Sequence, residues 1–261
     1  MKPYLARILV YPIKSLGPAS LGRVRVLGGA GLAGDREYAL LDARGRVLNT
    51  KRLRAALLSI RARYPEGPGR IEVRSTAGRL SCGIADSLEE LGEYFGRALG
   101  ERVLLGRDSA LGYFDDMEAT GPTVLGSASI ASVAGWFGLA PAEVRRRFRA
   151  NLEIAGLEPF EEDLLFGRPG QPRRFRIGDV EFLGTNPCAR CIVPTLDSAG
   201  GPGDAALQPA SFAELRRRHS RADSELGSYG HYYRLALNTL LAPNQGGKRL
   251  AVGDELTRLS D

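Results

Sequence analysis

The segment RRFRIGDVEFLGTNPCARCIVPTLD, residues 173–197, carries the pattern that decides the fold. Polar and apolar residues alternate on both sides of Gly178-Asp179, which is typical of two strands joined by a tight turn. The second strand runs towards Cys188 and Cys191, and an arginine lies between these two cysteines. The segment therefore predicts a pair of strands whose far end presents two thiols beside a guanidinium group.

Four interpretations of this cysteine pair stay open from the residues alone. A structural zinc site needs four ligands, and the remaining candidates, Cys82, His219 and His231, form no second close pair. A thioredoxin-like redox pair normally opens a helix, whereas the following IVPTL is a poor helix start. Both cysteines could be small buried hydrophobic residues. Finally, one thiolate could bind a soft transition metal, with a cofactor supplying the other sulfur ligands.

Composition narrows the class of protein. The 261 residues are 43% apolar, enough for one large domain or two small ones with a buried core. No apolar run is long enough for a spanning helix, and the N-terminus lacks a secretory signal pattern, so we expect a cytoplasmic protein without a membrane span. Only three cysteines are present, which argues against a disulfide framework.

The net charge is +6, and only four of the 36 basic residues are lysines. Arginine suits bidentate binding of phosphate. The basic residues are spread along the chain and no nucleic-acid motif accompanies them, so we expect no nucleic-acid partner.

Periodicity along the chain predicts more strand than helix, and hence an α+β, β-rich, barrel-like protein. Helices are expected at residues 86–100, 127–139 and 210–220, the last capped near Ser211, and residues 141–156 are expected to form a helix that runs into a strand. Strands are expected from Tyr4 to Pro12, at 22–27, in a hairpin of 36–42 and 46–50, and at 57–65, 69–76, 78–84, 101–108, 229–241 and 248–259.

An ordered series of motifs resembles the MOSC domain family, which is named after the C-terminal domain of molybdenum cofactor sulfurase. The resemblance implies a MOSC-type β-barrel domain at residues 107–261, preceded by the β-rich N-terminal domain of this family at residues 1–106. The motifs are VYPIKS (10–15), GLAGDREYALLDARGRVLNTKR (31–52), LGSASI (125–130), RFRANLEIAGLEPFEED (147–163), PCARCIVPTLD (187–197), YGHYYRL (229–235) and LAVGDEL (250–256).

The resemblance also implies roles for individual residues. Cys191, the cysteine before the β-branched run, matches the molybdenum ligand and is expected to be catalytic together with Asp197. Glu162 and Asp163 match acidic positions near the pocket, and Glu162 is a second candidate for proton transfer. The residues expected to hold the molybdopterin cofactor are Lys14, Ser15, Arg36, Ser127, Arg149, Asn151, Arg190 and Tyr232.

The implied activity is that of a molybdenum cofactor-dependent oxidoreductase that reduces small N-hydroxylated substrates. Its electrons would come from a separate flavin or iron–sulfur protein, since the sequence has no further cysteines for a cluster of its own. The family is also associated with pyridoxal phosphate binding. An alternative role is a sulfur carrier with a persulfide on Cys191, and a basic nucleic-acid binder is a third interpretation.

Overall fold

A computed structural model of the protein describes residues 2–29, 31–196 and 207–259. Its strands are β1 (Tyr4–Val10), β2 (Ala19–Leu21), β3 (Arg23–Arg25), β4 (Tyr38–Leu41), β5 (Arg61–Arg63), β6 (Arg70–Ser75), β7 (Gly78–Gly83), β8 (Leu104–Arg107), β9 (Val124–Gly126), β10 (Leu152–Ala155), β11 (Arg173–Ile177), β12 (Val180–Ala189), β13 (Arg234–Leu241), β14 (Arg249–Ala251) and β15 (Leu256–Arg258).

The α-helices in these residues are α1 (Thr50–Ser59), α2 (Leu88–Leu99), α3 (Ser127–Phe137), α4 (Pro141–Phe148) and α5 (Pro209–Arg218). Short 3₁₀ helices cover Glu161–Leu165, Val193–Thr195 and Leu226–Tyr229. Within the described ranges, no helix is both long and apolar enough to cross a lipid bilayer.

Eight strands form the main sheet, in the order β15–β11–β12–β13–β9–β10–β1–β2. All neighbours are antiparallel except β9 and β10, which are connected through α3 and α4 because parallel neighbours need such a crossover. The sheet curls so that Tyr4 bridges to Glu255, and the Leu256 amide donates to the Pro3 carbonyl at 2.8 Å. The predicted β-rich α+β class is confirmed. The main sheet is barrel-like, and its described strands do not form a closed barrel.

Three smaller sheets complete the structure: β3 with β14, β4 with β8, and the antiparallel sheet β5–β6–β7. The domain boundary expected between residues 106 and 107 stays a prediction. Strands β1 and β2 precede it, yet β1 pairs with β10, which follows it.

One local prediction is wrong, and another is confirmed only in part. Residues 57–59, expected to start the strand at 57–65, instead end helix α1 (Thr50–Ser59), because Leu53 and Leu57 lie four residues apart and pack one helix face inward. The expected hairpin of 36–42 and 46–50 forms in part: the Asp42 amide donates to the Arg46 carbonyl at 2.9 Å and the Leu48 amide to the Leu40 carbonyl at 2.7 Å, around a bridge between Leu41 and Val47. Strand β4 also pairs with β8.

Helix α5 begins earlier than expected. Its N-cap is Gln208, and Pro209 occupies the first helical position, where proline loses no hydrogen bond.

Two apolar clusters position the functional site. The larger one fills the main sheet and continues under β5–β6–β7. The smaller one lies between α3, α4, α5 and β13, where Phe148, Phe160 and Phe212 are fully buried. Phe148 ends α4 and also faces the cavity described next, so this cluster holds the cavity wall in place.

Candidate functional site

A cavity of about 670 Å³ lies where the segment after β1, the turn before β4, the end of α4 and the end of β12 meet. Its lining includes the following predicted site residues: Lys14, Ser15, Arg36, Arg149, Asn151, Arg190 and Cys191. Cys188 lines it as well. These residues are up to 177 positions apart in the sequence, between Lys14 and Cys191, so only the tertiary fold brings them together.

Both cysteines of the opening motif are free thiols at this cavity. The Cys191 side chain is exposed, and its backbone carbonyl accepts a hydrogen bond from the Tyr233 hydroxyl at 3.0 Å. Cys188 is half-buried, and its sulfur lies 3.0 Å from Arg190 Nη1. Strand β12 ends at Ala189 after two register shifts, and such bulges redirect the side chains that follow. No α-helix starts here, since only a short 3₁₀ turn follows.

The guanidinium group of Arg190 is fixed in orientation. Its Nη2 donates to the Phe148 carbonyl at 2.6 Å, and its plane stands 5.3 Å from the Phe148 ring centroid. Its Nε atom is buried and has no hydrogen-bond partner within the described part of the chain. A buried donor without a partner is costly, so a ligand that supplies an acceptor here would be favoured.

Arg36 and Arg149 both stand over Tyr11. Arg149 lies 4.1 Å and Arg36 5.3 Å from the ring centroid, and Arg149 Nη1 donates to the Leu16 carbonyl at 2.7 Å. Burial lowers the pKa of Arg149, and the nearby charge of Arg36 lowers it further. Arg36 is balanced by an ion pair with Asp35, whereas the desolvated guanidinium group of Arg149 forms no ion pair within the described residues, so an anion in front of Arg149 would be favoured.

Three cavity residues have left-handed backbones: Ser15 (φ 72°), Arg36 (φ 55°) and Arg149 (φ 56°). This region disfavours side chains with a Cβ, and glycine is the usual residue there. Arg149 occupies the C-cap of α4, where its amide donates to the Arg145 carbonyl. Strained backbone of this kind concentrates at functional sites.

Asn151 has a positioning role. Its Nδ2 donates to the Leu9 carbonyl and to Asp35 Oδ2, both at 3.0 Å, and its Oδ1 accepts from the Thr123 amide at 3.2 Å. Asp35 also forms an ion pair with Arg36. Asn151 and Asp35 are almost completely buried, so they hold Arg36 in place. Sequence reasoning did not assign this role to Asp35, although its position before Arg36 is the available signal.

Lys14 is also held by neighbours. Its Nζ lies 2.8 Å from Asp115 Oδ1 and donates to the Tyr113 carbonyl at 2.7 Å. Asp115, Asp116 and Phe114 line the same cavity, in a segment whose sequence lacks periodicity. Sequence reasoning missed these acidic residues, since nothing in that segment marks them as part of a site.

Two predicted cofactor-binding residues lie outside the cavity lining. Ser127 donates to Glu153 Oε1 at 2.7 Å, and Glu153 also pairs with Arg145. Tyr232 packs against the main apolar cluster. Asp197 falls outside the described residues.

The expected proximity of Glu162 and Asp163 to the pocket is wrong. Both are buried, Asp163 beside α5 and Glu162 beside α3, and neither lines the cavity. Asp163 pairs with Arg216, and Glu162 accepts from the Ser129 hydroxyl at 2.7 Å. Burial, with a contribution from Asp163, raises the pKa of Glu162 to about 7. The short turn after Phe160 directs both carboxylates into the interior.

No group of three or more histidine, cysteine, aspartate or glutamate side chains within the described ranges is arranged to hold a metal ion. The cavity combines arginine and lysine cations with one open thiol. This arrangement can bind an anionic ligand with a polar edge and place a sulfur atom beside it.

Fold and cavity together define the class of protein: a β-rich, barrel-like domain with a cavity that is lined by arginine and lysine and contains an accessible cysteine. The chain belongs to the MOSC domain family. It matches the MOSC domain over residues 123–257 and the MOSC N-terminal beta barrel domain over residues 2–89.

The chain is also similar to named proteins. It is 23% identical over 256 residues to the molybdenum cofactor sulfurase of Caenorhabditis elegans, and the match covers 87% of this chain and 33% of that protein. The chain thus spans about a third of the length of this relative. Among solved structures, the YUAD protein of Bacillus subtilis aligns over 98% of this chain and 94% of its own, with 10% identity and a TM-score of 0.40.

Proposed function

We propose that the protein binds the molybdenum cofactor and reduces small N-hydroxylated compounds. The observation that carries this proposal is the open thiol of Cys191 in one cavity with the cations of Lys14, Arg36, Arg149 and Arg190. The family, and the name of the sulfurase relative, add a link to molybdenum cofactor biology.

The residues present fit this cofactor. Its phosphate needs arginine or lysine, its pterin edge needs further polar partners, and its metal needs a thiolate besides the sulfurs it brings. Arg36, Arg149 and Lys14 would hold the phosphate, and the unpartnered Nε of Arg190 would donate to another acceptor of the ligand. Cys191 would be the protein's metal ligand. When bound, the cofactor supplies the redox chemistry.

The chain's own residues would bind the cofactor and fix its orientation. Aromatic rings of Tyr11 and Phe148 fix the guanidinium planes, so the cations meet a ligand without losing further side-chain freedom. Reducing an N–O bond to an amine or amidine consumes electrons and protons and releases water. We assign proton supply to Asp197. Glu162, enclosed away from the cavity, is no longer a candidate for this step.

A sulfur carrier is the second candidate. The observation that favours it is the exposure of Cys191, which leaves room for a persulfide, with Cys188 and a guanidinium group in the same cavity. The name of the sulfurase relative points to sulfur chemistry as well.

The test is production with and without molybdate, followed by elemental analysis, mass spectrometry and an amidoxime-reduction assay driven by reduced methyl viologen. We expect molybdenum near one atom per chain, turnover, and loss of both in Cys191→Ala but not in Cys188→Ala. A metal-free protein with an added sulfur atom on Cys191 would support the carrier. Metal binding unchanged in Cys191→Ala would overturn the first proposal.

A further inference from the structure

The sheet β5–β6–β7 carries an unusual row of arginines. The strand register places Arg61 opposite Arg74, and Arg74 opposite Arg79, so three like charges are cross-strand neighbours on one face. All three side chains are exposed. Like charges directly opposite each other destabilise a sheet.

A second row lies two residues along the strands, where Arg63, Glu72 and Ser81 face each other and are exposed as well. Within residues 2–29, 31–196 and 207–259, the side chains of Arg63, Arg74 and Arg79 have no ion pair or hydrogen bond. We name this surface the arginine face: Arg61, Arg63, Arg70, Arg74 and Arg79, with Glu72 and Ser81. Arg70 pairs with Glu66, and Arg61 also has partners. The charges of Arg63, Arg74 and Arg79 are not paired within the described residues, so an external anionic partner would be favoured.

The opposite side of this sheet packs on the main apolar cluster. Ile71 and Val73 are buried in the main apolar cluster, and Ala62 packs against it. The Ala62 carbonyl lies so close to Gly17 that a Cβ there would sit 3.1 Å from its oxygen. Gly17 is two residues from Ser15, which lines the cavity. A protein docked on the arginine face would therefore be one sheet layer away from the segment that forms the cavity wall.

We propose that the arginine face docks the acidic protein that supplies electrons. This inference rests on the proposed function. Strands are about 4.8 Å apart, so the row of three arginines spans only about 10 Å. A patch of this size suits a cluster of carboxylates, which arginine binds in bidentate fashion. In each encounter the flavin or iron–sulfur centre of the donor would lose one electron, and the cofactor held in the cavity would accept it, with no bond formed.

The test uses a plant-type [2Fe–2S] ferredoxin as the acidic probe and measures its dissociation constant at low and high salt. The variant Arg74→Glu/Arg79→Glu is compared with Arg25→Glu/Arg249→Glu. The control removes another exposed cross-strand arginine pair, on the sheet of β3 and β14, with the same change in charge. We expect the first variant to weaken binding about tenfold or more at low salt, and the control to change it less than about twofold.

Turnover separates this inference from the proposed function. Both variants should keep the wild-type rate with reduced methyl viologen, while ferredoxin-driven turnover falls only in Arg74→Glu/Arg79→Glu. If methyl viologen drives no turnover in the wild type, the proposed function fails, and the dissociation constants still decide the docking site. Equal weakening in both variants would overturn the inference. The inference would also be overturned if Arg74→Glu/Arg79→Glu weakened binding to a DNA duplex or to anionic lipid vesicles and left ferredoxin binding unchanged.

Discussion

Arg149 shows how one residue combines strain and charge. Its left-handed φ of 56° at the end of α4 would suit glycine, yet its guanidinium group stacks on Tyr11 and donates to Leu16. An arginine at such a position costs about 1 kcal/mol relative to an unstrained conformation. This cost is understandable if the side chain is needed in the cavity.

The first prediction isolates that strain. Arg149→Gly and Arg149→Ala lose the same side-chain contacts, so we expect the glycine variant to be more stable by about 1 kcal/mol in urea unfolding. At Arg146, inside α4, the order should reverse by about 1 kcal/mol because glycine is the poorer helix former. The same order at both positions would contradict a strained Arg149.

Glu162 sets a pH dependence of stability. Its folded-state pKa of about 7 lies above the ordinary value of 4.5, because burial and Asp163 disfavour the charged form. The Glu162 carboxyl ionises at a lower pH in the unfolded chain than in the folded protein. The free energy of unfolding therefore falls as the pH rises, until the pH exceeds both pKa values. Stability contributed by the neutral form is fully present below about pH 4.5 and is lost as the pH rises to about 7.

The second prediction concerns Glu162→Gln, which keeps the shape of the side chain and an acceptor for Ser129. The variant should gain stability over the wild type between pH 5 and pH 8, by an amount on the order of 2 kcal/mol. Urea unfolding at several pH values measures this difference. The control Glu214→Gln removes an exposed glutamate whose pKa is lowered to about 2 by Arg217 and Arg218, so it should give no such gain. A constant difference across pH would refute the assignment.

At the scale of elements, close approach between chain segments fixes β12 against the 3₁₀ helix Glu161–Leu165. A Cβ at Gly184 would overlap the Leu165 carbonyl oxygen. Glycine is therefore required in this strand for packing, since no side chain fits between the two backbones. The bulges of β12 that turn Cys188 and Arg190 towards the cavity follow directly after it.

The third prediction tests this contact. Gly184→Ala should destabilise the protein by about 1–3 kcal/mol, because the two elements must separate. Gly135→Ala, in helix α3, should instead stabilise by about 0.5–1 kcal/mol, because nothing lies within 4 Å of a Cβ there. Thermal unfolding of both variants gives the comparison. A neutral Gly184→Ala would mean that β12 and the 3₁₀ helix are not tightly packed.

At the scale of the whole molecule, the cavity needs both halves of the chain. Lys14 and Arg36 come from the region matched by the N-terminal family domain, and Arg149 and Cys191 from the MOSC match. Strand β1 from the first half also covers the edge of β10 from the second.

The fourth prediction divides the chain at the expected boundary. Residues 107–261 alone should fail to show a cooperative unfolding transition, because β10 would be left with an uncovered apolar edge. Co-expression with residues 1–106 should restore the transition and the binding of inorganic phosphate. A stable fragment 107–261 that binds phosphate as tightly as the whole chain would contradict a shared cavity.

Much of this protein is determined by local sequence. Alternation predicted β6, β11 and β12, and helical spacing predicted α2, α3 and α4, because each element buries one face of its own segment. Ordered motifs identified the family, and seven of the predicted site residues line one cavity. Local pattern failed at residues 57–59, which end α1 and do not start a strand, and it did not predict that β4 pairs with the distant β8.

Only the tertiary structure decided which side chains meet. Ser127 and Glu162 occur in motifs as clear as those of Lys14 and Arg36, yet hydrogen bonds to Glu153 and Ser129 hold them elsewhere. The roles of Asp35 and Asp115, and the facing arginines of β5–β6–β7, depend on strand register and chain crossing. The sequence by itself determined which chemical groups are available and which face of each element they occupy. Packing over long sequence distances determined which of them share a cavity, because contact between remote segments leaves no periodic signal along the chain.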